Sequence, residues 1–331
     1  MIDSELTAAR NTRSMPFGAA LVEVGRRRED IVVLSADLAK YTDIAPYVEM
    51  FPDRFFQIGM AEQNMMGIAG GLWRSGFAPW VTTYGVFATR RAYDQIAIAL
   101  ALGRADVKII AFLPGLTTNG GPTHQAIEDL ATMRALPNMV VVDPADAVEI
   151  TQAVEALAEY RGPVYMRGLR GQVPVFLPDG YRFEIGKARM LQEGSDVGII
   201  STGLMLEYAL DAADELARQG VSAAVLHVST LKPFDGKAVL SLARDVPALV
   251  TAENHTTIGG LGGAVAQELA VAGLQRPLRL CGVQDRFAEA GMPPYLFRRY
   301  GLTAAHIVEL ATEARDAAKC SGAAEGDHAT S

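Results

Sequence analysis

Phe55-Phe56-Gln57-Ile58-Gly59-Met60-Ala61-Glu62-Gln63-Asn64-Met65-Met66-Gly67-Ile68-Ala69-Gly70-Gly71-Leu72 runs from a short β-like segment into a helix rich in Ala, Gly and Met. Small side chains let such a helix pack closely against its neighbours, and Glu62 is its one ionisable group. A lone carboxylate at an apolar strand–helix junction is costly to bury without a dedicated partner. A glutamate held at a helix N-terminus by the dipole gives the same pattern, so the segment alone leaves both readings open.

Outward from this junction, strand-like runs alternate with helical patterns, which predicts an α/β fold of two consecutive parallel-sheet domains. Strands are expected at 31–35, 78–82, 107–112, 139–143 and 164–167, and helices at 14–27, 62–75, 90–102, 125–136 and 147–160. A Pro/Gly-rich passage breaks the rhythm. A second α/β run follows, with segments at 197–201, 204–219, 222–227, 236–243, 248–253 and 260–272, and an amphipathic helix at 304–318. The resulting division is a first domain over 14–175, a linker over 176–192, a second domain over 193–318 and a small, polar, flexible tail over 319–331.

The 331 residues suffice for two domains, and a composition half hydrophobic with 21% charged residues argues against disorder. A net charge of −8 disfavours a nucleic-acid or anionic-membrane surface. Cys281 and Cys320 lack metal or redox spacing and fit unpaired thiols in a reducing compartment. No leader pattern over 1–15 and no membrane-length apolar run is found, so a cytoplasmic location is expected.

Two further stretches carry chemistry. In Trp80-Val81-Thr82-Thr83-Tyr84-Gly85-Val86-Phe87-Ala88-Thr89-Arg90-Arg91, a strand ends and a helix begins. Tyr84 and Phe87 could form one aromatic wall for a planar heterocycle, or simply pack in the core. Arg90 and Arg91 are expected at a helix start, where the dipole disfavours cations; this suggests an anionic substrate or a salt bridge. Pro114-Gly115-Leu116-Thr117-Thr118-Asn119-Gly120-Gly121-Pro122-Thr123-His124-Gln125 is a Gly/Pro/Thr loop that ends on His124, a residue able to donate to a reacting oxygen.

Ala61-Glu62-Gln63, Arg91-Ala92-Tyr93-Asp94-Gln95, Gly121-Pro122-Thr123-His124-Gln125 and Pro137-Asn138-Met139 occur in order. Together they resemble the pyrimidine-binding half of transketolases and of the related deoxyxylulose-phosphate synthases. Ile258-Gly259-Gly260-Leu261-Gly262-Gly263-Ala264-Val265, after Glu253-Asn254-His255, resembles their C-terminal domain, and the likeness spans residues 14–315. It implies thiamine diphosphate as cofactor. That cofactor reacts through the imino form of its pyrimidine, which a sequestered carboxylate at N1′ favours, and Glu62 matches this glutamate. By the same resemblance Tyr84 and Phe87 hold the pyrimidine, while Asp37 and Leu38 face the cofactor and the subunit interface. His124 contacts substrate hydroxyls or the carbonyl-derived oxygen, Arg90 sits at a substrate-binding position, and Arg170 matches a phosphate-binding arginine.

A full transketolase has a further N-terminal half that binds the diphosphate through a metal with a Gly-Asp-Gly motif, which this sequence lacks. The resemblance is therefore to the smaller subunit of a split transketolase. It implies a partner subunit that holds Mg²⁺ and the diphosphate, an α₂β₂ assembly, and no metal on this chain. The implied reaction moves a two-carbon ketol unit from a ketose phosphate to an aldose. Asn119-Gly120 replaces the usual acidic pair, Leu113 stands near a usual phosphate-contacting histidine, and Tyr41 stands near a usual small residue; these departures point to a branched or modified sugar. The β subunit of a 2-oxo acid dehydrogenase and a noncatalytic paralogue are the rival readings. His255 precedes a Gly-rich turn like a phosphate loop but is read as structural, and His227 and His306 receive no function.

Overall fold

Ile31–Ser35 is apolar but for its last residue and buried at every position, as suits a strand covered on both faces. The structure, a computed structural model, describes residues 11–328; the rest of the stretch read for a leader and the last three residues of the expected tail lie outside the described residues. Ile31–Ser35 belongs to a seven-stranded sheet in the order Thr230–Lys232, Val140–Val142, Val164–Gly168, Lys108–Phe112, Ala78–Tyr84, Ile31–Ser35, Phe55–Gln57. Six strands run parallel, and Thr230–Lys232 is antiparallel to its neighbour. A five-stranded sheet follows, in the order Leu278–Val283, Leu249–Thr256, Val197–Ser201, Ala223–His227, Arg189–Gln192, parallel except for the last strand. The chain is thus two consecutive α/β units. Each closes one edge with an antiparallel strand that the alternating pattern does not reveal. Among the described residues, no helix is long and apolar enough to cross a membrane.

Three expected helices differ in extent. The one expected at 90–102 is a continuous helical stretch of Phe87–Arg91, Ala92–Gln95 and Ile96–Ala101, its first and last parts wound in the wider π fashion. Arg90 and Arg91 therefore lie one turn inside it, and the dipole argument for an anion does not apply to them. The helix expected at 125–136 is shorter, Asp129–Ala135, because the carbonyl of Ala126 accepts from Gly115 N at 2.8 Å and a short bridge ties Pro114 to Ala126. The last helix runs over Ala304–His328, into the segment marked as tail.

The junction between the units is buried and polar. Arg167, 1% exposed at the end of Val164–Gly168, donates to Asp129 from Nε at 2.9 Å and from Nη2 at 2.5 Å. Its Nη1 reaches Asp143 at 3.3 Å and the carbonyl of Asn254 at 3.2 Å. Asn254 in turn clasps the first unit: its Oδ1 accepts from Leu116 N at 2.9 Å and its Nδ2 donates to the carbonyl of Pro114 at 3.0 Å. Gly115, at φ 53°, must be glycine here, since a Cβ would lie 2.2 Å from Asn254 Oδ1. His227 of the second unit pairs with Glu149 of the first at 2.9 Å, both fully buried. The passage expected as linker is packed onto this joint: Phe176 N and Leu177 N donate to Asp146 at 3.0 Å each, and the buried Tyr181 donates its hydroxyl to Glu149.

Candidate active site

The singled-out residues follow the C-terminal ends of parallel strands, where ligands of open α/β sheets bind. Asp37 and Leu38 follow Ile31–Ser35, Glu62 follows Phe55–Gln57, and Tyr84 ends Ala78–Tyr84. The loop carrying His124 follows Lys108–Phe112, and Arg170 follows Val164–Gly168. Parallel pairing of these strands brings five loops, far apart in sequence, to one edge of one sheet.

Glu62 is the first residue of Glu62–Arg74 and is fully buried. Its Oε2 accepts from Arg91 Nη1 at 2.7 Å, whereas Oε1 is buried with no hydrogen-bond partner among the described residues. A buried carboxylate oxygen without a donor is costly, and such an atom marks either a strained site or a missing ligand. Arg91, expected with Arg90 to meet an anionic substrate or to form a salt bridge, forms the salt bridge, and its partner is Glu62. A carboxylate buried at an apolar junction needs a counter-charge, but which arginine supplies it depends on how two helices pack.

Arg91 also links Glu62 to the aromatic residues, its guanidinium carbon lying 4.6 Å from the centre of the Phe87 ring. Tyr84 and Phe87 are 5.9 Å apart between ring centres with planes 31° from parallel. The His124 ring meets Phe87 edge-on at 5.3 Å and Tyr84 at 6.3 Å. The expected aromatic wall is thus a three-ring cluster that includes the histidine. Gly85 permits the close approach of Ala126 behind it, since a Cβ there would lie 2.9 Å from Ala126 Cβ. His124 Nδ1 lies 2.9 Å from the Thr123 hydroxyl. Arg170 is exposed, with its guanidinium carbon 5.9 Å from the Tyr84 ring centre and Nη1 donating to the Tyr41 carbonyl at 3.3 Å. Burial pushes the Tyr84 phenol above its ordinary value.

Leu38 and Asp37 frame another side. Leu38 N donates to Ser35 Oγ at 3.2 Å, and Thr42 Oγ1 donates to the Leu38 carbonyl at 3.0 Å and lies 3.3 Å from Thr82 Oγ1. Asp37, at φ 60°, is a residue type that tolerates the left-handed region better than most, and its Oδ1 accepts from Gln57 at 3.2 Å. Arg90 turns elsewhere. It grips Glu128 through two nitrogens and donates to the carbonyls of Pro122 at 3.0 Å and Gln125 at 3.3 Å. Its guanidinium staples the His124 loop and is the least available of the expected substrate contacts. Among the described residues, no three His, Cys, Asp or Glu side chains converge to hold a metal ion.

The arrangement offers one buried carboxylate oxygen, an aromatic face, a histidine beside that face and an exposed arginine. It suits a flat, polar-edged heterocycle and an anionic substrate. Comparison with known proteins gives the family. Residues 11–175 match the family described as transketolase, pyrimidine binding domain, and residues 186–307 match transketolase, C-terminal domain. A transketolase family protein of Sinorhizobium fredii is 52% identical over 312 residues, 93% of this chain and 90% of the relative. The 6-deoxy-6-sulfo-D-fructose transketolase subunit SqwH of Clostridium sp. strain MSTE9 is 42% identical over 295 residues, 88% of this chain and 91% of the relative. A solved split gene transketolase, described as an inactive beta4 tetramer, matches with a TM-score of 0.85 at 43% identity and covers 92% of this chain and 99% of that one.

Proposed function

Because the chain belongs to the transketolase family, we propose that it is the pyrimidine-binding subunit of a two-chain, thiamine-diphosphate-dependent transketolase. Its reaction moves a two-carbon ketol unit from an anionic ketose to an aldose. The observation that carries this reading is the buried, partnerless Oε1 of Glu62, an atom suited to N1′ of a pyrimidine. Thiamine diphosphate, when bound, supplies the nucleophilic carbon and electron sink that the transfer needs. Glu62 would hold the proton relationship at N1′, and Tyr84 and Phe87 would hold the ring. Asp37 and Leu38 would close the cofactor side. His124 would position substrate hydroxyls and hold or pass a proton at the carbonyl-derived oxygen. Arg170, exposed beside Tyr84 and Tyr41, would take the substrate's anionic group. Arg90 braces the His124 loop.

Relatives of about this length, 90% and 91% covered, and the match to a split gene transketolase over 99% of its chain support a separate subunit that holds Mg²⁺ and the diphosphate, in an α₂β₂ assembly. The match to an inactive tetramer of beta chains agrees with a chain that needs this partner. The anion on the sugar is a terminal phosphate or sulfonate; the relative named for a sulfo-sugar, together with Leu113, Asn119, Gly120 and Tyr41, favours a modified ketose. Glu62→Gln in the complex with the partner is expected to slow transfer by about a hundredfold or more, the scale of losing positioned proton control. Full activity of that variant overturns the reading.

A further inference from the structure

The Glu62 carboxylate is fully buried, yet among the described residues its charge has one partner, Arg91 Nη1 on Oε2. An uncompensated buried charge is strongly destabilising, so the chain itself must offset it before any cofactor is present. Arg91 does so at modest cost, because 46% of its side chain stays exposed to solvent. Arg91 closes the π-wound turn Phe87–Arg91, a feature that often marks functional segments, and its guanidinium also rests over the Phe87 ring. One side chain therefore touches both the carboxylate and the aromatic wall.

We infer that Arg91 is a positioning residue that ties down Oε2 of Glu62 and leaves Oε1 aimed at the cofactor slot, so that it acts through Glu62 and not on the sugar. This rests on the thiamine-diphosphate reading above. The competing use of the same guanidinium is direct contact with the substrate anion, and the two uses separate by experiment.

The first measurement needs no cofactor. In the isolated chain, Arg91→Met lowers the thermal midpoint, and adding Glu62→Gln recovers most of the loss, since a neutral amide leaves no charge to offset. No recovery overturns the inference. In the two-subunit complex, Arg91→Met weakens thiamine diphosphate binding and lowers kcat by about tenfold each, with KM for the ketose changed by less than about twofold. Arg91→Lys recovers part of both, and it carries the test if the methionine variant does not fold. In a Glu62→Gln background, Arg91→Met adds no further loss. Unchanged cofactor affinity with a raised KM assigns Arg91 to the substrate anion and overturns the inference, as do additive losses. If Glu62→Gln alone changes neither cofactor affinity nor rate, the proposed function itself falls; a large Glu62 effect with additive Arg91 losses removes only the role of Arg91.

Discussion

At the scale of single residues, the two adjacent arginines divide their work by geometry. Arg91 points back to Glu62, while Arg90 points across to Glu128 and the carbonyls of the His124 loop. Nothing in Arg90-Arg91 as a sequence separates them, since neighbours on a helix face different directions and their partners lie about 30–40 residues away in the chain. Glu62 was legible because the one acidic residue of an apolar, small-residue helix stands out by chemistry alone. The stapling role of Arg90 gives an expectation that a substrate contact does not: Glu128→Gln, which touches no ligand in this account, reproduces the kinetic defect of Arg90→Met. Each lowers kcat by about tenfold through a loosened His124 loop, with coupled, non-additive effects in the double variant. A wild-type Glu128→Gln enzyme beside a defective Arg90→Met enzyme assigns Arg90 to substrate instead.

At the scale of elements, strand alternation predicted the interior of both sheets but neither antiparallel edge, nor the parallel edge strand Leu278–Val283. Arg189–Gln192 ends the passage after the first unit, and Thr230–Lys232 reaches from the second unit to pair with Val140–Val142; neither placement follows from the strand's own pattern. The buried pair that helps fix this packing, His227 with Glu149, is pH-sensitive. Burial by itself lowers His227, but the charge and hydrogen bond of Glu149, with Asp143 nearby, outweigh it and hold the imidazole above its ordinary value of 6.5. Burial likewise raises Glu149, but His227 and the bonds from Tyr181 and Ala145 N bring it below its ordinary 4.5. A histidine raised on folding contributes fully below its unfolded value and loses that contribution as pH rises through the folded one. A lowered carboxylate contributes fully above its unfolded value and loses it as pH falls through the folded one. The pair therefore stabilises most between about pH 4.5 and 6.5 and weakens on the alkaline side. His227→Gln should be less stable than the parent at about pH 5.5, with the gap narrowing by about pH 8.5, as read from denaturant midpoints. A gap of constant size contradicts this role.

At the scale of the whole molecule, the parallel sheet collects loops from five strand ends into one surface, and the second unit holds that surface from behind. Asn254 clasps the start of the His124 loop, and Gln125, next to the histidine, donates to the Glu289 carbonyl at 3.1 Å. The division into two α/β units was readable because each buries its own alternating pattern. The support of the site by the second unit was not, because it consists of single side chains crossing the junction. The surface so built has a carboxylate, an aromatic cluster, a histidine and an arginine, and lacks the Gly-Asp-Gly motif that would hold a diphosphate. The central claim is that this is one half of a transketolase site. The most direct measurement is ketol transfer, with thiamine diphosphate and Mg²⁺, by the purified chain, by a Gly-Asp-Gly-bearing subunit, and by the two mixed. The account predicts transfer only in the mixture; transfer by this chain alone, or none from a mixture that forms a stable complex and binds the cofactor, contradicts it.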